Sequence, residues 1–65
     1  MEILVNGEAV QTEVLYLDLL LEELGYNGNW LATAVNAEVI SINKRSQFIL
    51  HEGDKIEILS PMQGG

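Results

Sequence analysis

Sixty-five residues with three Lys+Arg, ten Asp+Glu and a formal net charge of −7 leave room for one small domain, not for an enzyme with a substrate domain of its own. The absence of cysteine excludes thiol nucleophiles, disulfides and thiolate metal sites, and a single histidine excludes an imidazole cluster within one chain. The three cations, Lys44, Arg45 and Lys55, form no positive stripe for a phosphate backbone, which argues against nucleic acid and for basic protein partners. A hydrophobic fraction of 48% against 20% charged nevertheless marks a folded chain. The start, Met1-Glu2-Ile3-Leu4-Val5-Asn6-Gly7, has neither a basic region nor an apolar run of signal-peptide length, and no membrane span follows. A cytoplasmic protein is expected.

Met1 to Val5 reads as a short apolar strand, Asn6-Gly7 as a two-residue hairpin turn tolerant of positive φ, and Glu8 to Thr12 as the returning strand. Leu17, Leu20, Leu21 and Leu24 recur at helical spacing with Asp18, Glu22 and Glu23 on the other side, and Gly25 stops that helix. Tyr16 stands where a Ser, Thr or Asp cap is expected. Asn27-Gly28-Asn29 is a turn cluster, and Leu31 to Val35 is a small-residue strand suited to the middle of a sheet. Asn36-Ala37-Glu38 turns the chain, Val39 to Ile42 continues as a short extended piece, and Asn43 to Gln47 is polar. After the turn Glu52-Gly53-Asp54, the segment Lys55 to Ser60 alternates with period two as the last strand, and Pro61 ends it.

This order, with no repeat, linker or low-complexity segment, predicts an α+β domain in which a mixed sheet of four to five strands packs on one main helix. A β-grasp domain has that order. Residues 1–60 then form the body and 61–65 a C-terminal tail. With the first and last strands side by side and parallel, Ile3, Val5, Ile56 and Ile58 face the stripe Leu17, Leu20, Leu21 and Leu24. Leu4 and Leu59 fall on the opposite face beside Glu2, Lys55 and Glu57. Scattered exposed leucines are ordinary, but clustering of Leu4, Leu59 and Met62 on adjacent strands would make a docking patch.

The chain ends Ser60-Pro61-Met62-Gln63-Gly64-Gly65. Two glycines make a slender thread whose only chemical handle is the terminal carboxylate, reaching roughly 17 Å beyond Ser60. A frayed end is the ordinary meaning of such a terminus. A thread able to enter a partner's active site while the body stays outside is the functional one.

Over its whole length the sequence resembles the ThiS family, small β-grasp sulfur carriers of thiazole (thiamin) biosynthesis. The resemblance rests on Met1-Glu2-Ile3-Leu4-Val5-Asn6-Gly7, Asp18-Leu19-Leu20-Leu21-Glu22-Glu23-Leu24-Gly25, Ala34-Val35-Asn36, Glu52-Gly53-Asp54-Lys55-Ile56-Glu57-Ile58 and the terminal Gly64-Gly65. Tyr16 and Ser41-Ile42-Asn43 depart from the family's pattern. The resemblance implies that a ThiF-like adenylating enzyme, using ATP and Mg²⁺ bound by itself, joins the Gly65 carboxylate to AMP. A persulfide donor then supplies sulfur, and the resulting Gly65 thiocarboxylate passes sulfur to thiazole synthase. Met62, Gln63 and Gly64 thread into the partner's active site, Leu4, Leu59 and Met62 dock on it, and the chain itself is a carrier with no catalytic group, cofactor or metal.

Competing signals are weaker. His51-Glu52-Gly53-Asp54 could suggest a metal site, but a lone His beside two carboxylates in a turn is more often solvated. Glu22 and Glu23 point in different directions and suit a polar helix face, while Asn36, Asn43 and Lys44-Arg45 read as turn and surface residues, the basic pair contributing at most to docking. An acyl carrier needs a serine in an Asp-Ser-Leu setting, which Ser41, Ser46 and Ser60 lack. The small subunit of molybdopterin synthase, another sulfur carrier ending in Gly-Gly, and a ubiquitin-like protein modifier are the remaining alternatives. The short span between the middle strands favours the thiazole branch.

Overall fold

A computed structural model describes residues 1–26 and 31–60; the expected Asn27-Gly28-Asn29 turn lies outside them. Strands β1 (Glu2–Val5) and β2 (Glu8–Gln11) precede the helix α1 (Leu17–Glu23), and β3 (Ala32–Val35), β4 (Glu38–Ile40), a 3-10 helix (Ile42–Gln47) and β5 (Lys55–Leu59) follow. The sheet order is β2-β1-β5-β3-β4, with β1 and β5 parallel and the other pairs antiparallel. This is the expected β-grasp arrangement. The fourth strand is shorter than expected: β4 ends at Ile40, and Ile42–Gln47 winds into a 3-10 helix rather than remaining an extended and polar stretch.

One face of the sheet closes on α1. Ile3, Val5, Ile56 and Ile58 are buried with Leu17, Leu20 and Leu21, as the alternation and the helical spacing require. Leu24 lies at the margin, half-buried, and Leu31, Val35, Ile40 and Leu50 complete the core.

Both ends of α1 are held by the backbone. Its start needs no Ser or Asp cap, because Tyr16 pairs with Ile49 in an isolated antiparallel bridge. There Leu17 N–H donates to Phe48 O (3.1 Å) and Leu50 N–H to Leu15 O (2.7 Å). That bridge satisfies the first amide of the helix, and Asp18 Oδ1 accepts from Leu19 N–H (2.8 Å), an amide that an N-cap side chain would otherwise serve. At the other end Gly25 takes φ +85°. Its N–H bonds Glu22 O (3.1 Å) and the Tyr26 N–H bonds Leu21 O (2.9 Å), the paired closure of a Schellman motif.

The two hairpins turn alike but with different chemistry. Asn6 and Gly7 have φ of 50° and 87°; Asn36 and Ala37 have 52° and 71°. Positive φ at both central positions is what a type I′ turn demands, and alanine meets it at a steric cost that glycine avoids. Ala37→Gly is therefore expected to stabilise the domain by about 1 kcal/mol, net of glycine's greater unfolded-state entropy. Thermal denaturation should show the midpoint rising by roughly 4–8 °C. An unchanged or lower midpoint would mean that Ala37 sits there unstrained.

Candidate functional site

The residues expected to carry chemistry, Gly65, with Gly64, Gln63 and Met62, lie outside the described residues. The described structure provides the strand leading into them. β5 alternates exposed Lys55, Glu57 and Leu59 with buried Ile56 and Ile58. It is the central strand, paired along its length with β3 from Val35↔Ile56 to Ala32↔Leu59, but with β1 only at Leu4↔Lys55 and Val5↔Ile56. The chain of β1 turns away at Asn6, three residues of β5 before Leu59.

Two asparagines of the hairpin turns fill out the edges of β5. After Asn6 N–H bonds Ile56 O (2.9 Å), the Asn6 carboxamide takes over: Ile58 N–H donates to its Oδ1 (2.8 Å) and its Nδ2 donates to Ile58 O (3.2 Å). The side chain replaces the peptide group that β1 would have presented next. At the start of β5, Asn36 N–H bonds Lys55 O (2.8 Å) and Lys55 N–H donates to Asn36 Oδ1 (3.0 Å). The Asn36 Nδ2 then reaches Asp54 Oδ1 (2.9 Å). Each net hydrogen bond of this kind contributes about 1 kcal/mol, and more where the freed partner would be left buried.

In the turn at residues 51–54 His51 is solvated, as expected, but the last carboxylate is not. Asp54 is buried, and its second oxygen accepts from His51 N–H (2.8 Å). Glu52 accepts from Glu2 N–H through Oε1 (3.0 Å), while Gly53 N–H donates to Glu2 O (2.8 Å). The Glu52 carboxylate seats the turn against β1, and that of Asp54 closes the turn on His51 and ties it to Asn36. No group of three or more His, Cys, Asp or Glu suited to a metal ion occurs among the described residues.

Arg45 corrects a second expectation. It is not a surface residue but 6% exposed, lodged under β3. Its Nε donates to Thr33 Oγ1 (3.0 Å) and its Nη2 to Leu31 O (2.6 Å), while Thr33 Oγ1 donates on to Ile40 O (2.9 Å). A long aliphatic stem and a forked head let arginine fill this gap and tie the 3-10 helix to β3 and β4. Lys44 is exposed, as expected.

Among the described residues none covers the sheet's other face. Leu4 and Leu59 both lie on it, but not together. Leu4 pairs with Lys55, whereas Leu59 is four residues further along β5, roughly 13 Å away, beside Ala32. Exposed Glu57 stands between them and lines two depressions. One, of about 520 Å³, is bounded by Leu4, Asn36, Ala37 and Lys55; the other, of about 130 Å³, by Ala32, Ala34, Val39 and Leu59. The expected patch therefore divides: Leu59, 68% exposed, is grouped with Val39, 78% exposed, and not with Leu4. Met62 lies outside the described residues.

Val39, Asn6 and the bonding role of Asn36 escaped the sequence reading. A signal was present: Val5-Asn6-Gly7-Glu8 and Val35-Asn36-Ala37-Glu38 are two copies of one tetrapeptide pattern. Each copy closes a hairpin flanking β5. Val39 follows directly from the second turn, since its alternation with buried Ile40 puts it outward.

A protein-family model described as the ThiS family matches residues 3–65. Two solved structures are similar to the chain, both from Geobacter metallireducens. The crystal structure of a thiamine biosynthesis protein (ThiS) matches with TM-score 0.83 at 26% identity, covering 100% of both chains. The solution structure of a thiamine biosynthesis protein matches with TM-score 0.82 at 26% identity, covering 100% of this chain and 88% of that one. No curated protein matches the sequence.

Proposed function

The chain belongs to the ThiS family, and on that basis we propose that it is a sulfur carrier in thiamine biosynthesis, with Gly65 as the atom-bearing end. The observation that carries this reading is that the family match runs through Gly64 and Gly65 on a body whose last strand is fastened as far as Leu59. Solved relatives named for thiamine biosynthesis support the thiazole branch over the molybdopterin one and over a protein modifier.

A carboxylate is a poor electrophile, because its charge is delocalised and oxide is a poor leaving group. In the proposed cycle the Gly65 carboxylate attacks the α-phosphorus of ATP held with Mg²⁺ by a ThiF-like enzyme, and pyrophosphate leaves. The outer sulfur of a donor persulfide then attacks the acyl carbon of the adenylate and AMP leaves; a thiol next cleaves the S–S bond of the resulting acyl disulfide, freeing the Gly65 thiocarboxylate and leaving a disulfide with the donor sulfur. Thiazole synthase receives the sulfur from the thiocarboxylate. The chain contributes position, not acid or base: Met62, Gln63 and Gly64 thread the partner's entrance while the open sheet face docks, which makes the chain a co-substrate and not an enzyme.

The first step is tested by ATP–pyrophosphate exchange with an active ThiF-like enzyme. Exchange that appears only when this chain is added supports the reading; none above the enzyme alone contradicts it. Docking is tested separately by Leu59→Asp. At 68% exposure the substitution should leave thermal stability unchanged and weaken binding to the adenylating enzyme by roughly tenfold, about 1.4 kcal/mol. Calorimetric titration showing equal affinity would remove Leu59 from the interface.

A further inference from the structure

We infer that Asn6 is a positioning residue for the reacting terminus: its carboxamide fixes how far β5 is held before the chain runs on to Gly65. This inference rests on the sulfur-carrier reading above. It begins from a mismatch in strand length, because β1 ends at Val5, opposite Ile56, while β5 continues to Leu59. Without help, the β1-side edge of Ile58 would present an unpaired N–H and C=O. Asn6 meets both with one planar group, Oδ1 accepting at 2.8 Å and Nδ2 donating at 3.2 Å.

A carboxamide carries a donor and an acceptor side by side in one plane, as a peptide group does. Asparagine also tolerates the φ of +50° that carries the chain into the turn. The residue thus does two jobs, turning the hairpin and extending the ladder, and these are separable. Glycine at this position would keep the turn and remove the ladder contact. Aspartate would keep the acceptor for Ile58 N–H but would set a negative oxygen against Ile58 O.

The consequence for function is geometric. With Asn6 in place, β5 is held on both edges as far as Ile58, whose N–H and C=O both bond the carboxamide while β3 pairs alongside through Leu59. Without it, the β1-side edge is held only as far as Ile56, whose carbonyl accepts from Asn6 N–H. The two-sided hold retreats by two residues, about 7 Å of strand, and β3 alone holds the strand from there to Leu59. A docked body would then present Gly65 from a strand end fixed on one edge instead of two, while the face proposed to dock is unchanged. Misplacement on the ångström scale is enough to cost up to a hundredfold in a positioned reaction.

The experiment compares the full chain with Asn6→Gly and Asn6→Asp. Amide hydrogen exchange followed by NMR should show faster exchange at Ile58 in Asn6→Gly, with core amides such as Ile3 and Leu20 unchanged. Steady-state adenylation by an active ThiF-like enzyme should show kcat down by roughly tenfold in Asn6→Gly with KM little altered, and Asn6→Asp between the two. A merely structural role would lower the melting temperature without that split between kcat and KM. If the unaltered chain is adenylated and Asn6→Gly matches it in both constants, the positioning role is overturned and the carrier reading stands. If the unaltered chain is not adenylated at all, both fall.

Discussion

Deleting Gly65 is expected to abolish sulfur loading and to leave the fold as it was. The shortened chain still ends in a glycine carboxylate, but one residue, up to about 3.6 Å, nearer the body. That shift exceeds the ångström-scale tolerance of a positioned acyl transfer, so loading should fall at least a hundredfold. The fold should not respond, since the buried core among the described residues ends at Ile58. Chemical denaturation and the loading assay on the same preparation check both halves. Loading at the rate of the full chain would place the reactive group elsewhere.

Leu20→Ala should have the largest effect on stability. Leu20 is 0% exposed and belongs to the same buried core cluster as Ile3, Ile56 and Ile58, so truncation removes methyl groups from the middle of the core. Replacements of this kind cost about 2–5 kcal/mol. A domain of this size seldom has more than about 3–5 kcal/mol in total. The variant should therefore be largely unfolded at 25 °C, with loss of dispersed amide resonances. A loss below about 1 kcal/mol in urea titration would mean that the core is packed differently.

These two predictions draw on parts of the molecule that were unequally legible in the sequence. The order of elements and the burial of Ile3, Val5, Ile56, Ile58, Leu17, Leu20 and Leu21 follow from periodicity, which is a local signal, whereas the parallel pairing of β1 with β5 came from the β-grasp arrangement that this order matches. What periodicity does not carry is pairing between side chains and distant backbone. Tyr16 looked like a missing cap because its partner, Ile49, lies far along the chain. Arg45 looked like half of a surface basic pair because the oxygens it meets belong to Leu31 and Thr33. The burial of Asp54 was not visible because its partner Asn36 comes from another hairpin.

The candidate docking face shows the same limit in another form. Alternation placed Leu4 and Leu59 on the correct side of the sheet, but register decides which side chains meet, and register depends on where each strand ends. β1 stops opposite Ile56, so Leu4 stays at the start of β5 while Leu59 joins Ala32 and Val39. The end proposed to react was read from the sequence, as a Gly-Gly terminus with a carboxylate to offer. Its anchoring was not, because the carboxamide of Asn6 reads in sequence as turn chemistry alone.

The central claim is most directly tested by the intact mass of the full chain after incubation with an active ThiF-like enzyme, ATP and a sulfur source. Replacement of one Gly65 oxygen by sulfur predicts a gain of about 16 Da that fragmentation assigns to the last residue. An unchanged mass, or a sulfur assigned to any other residue, would contradict it.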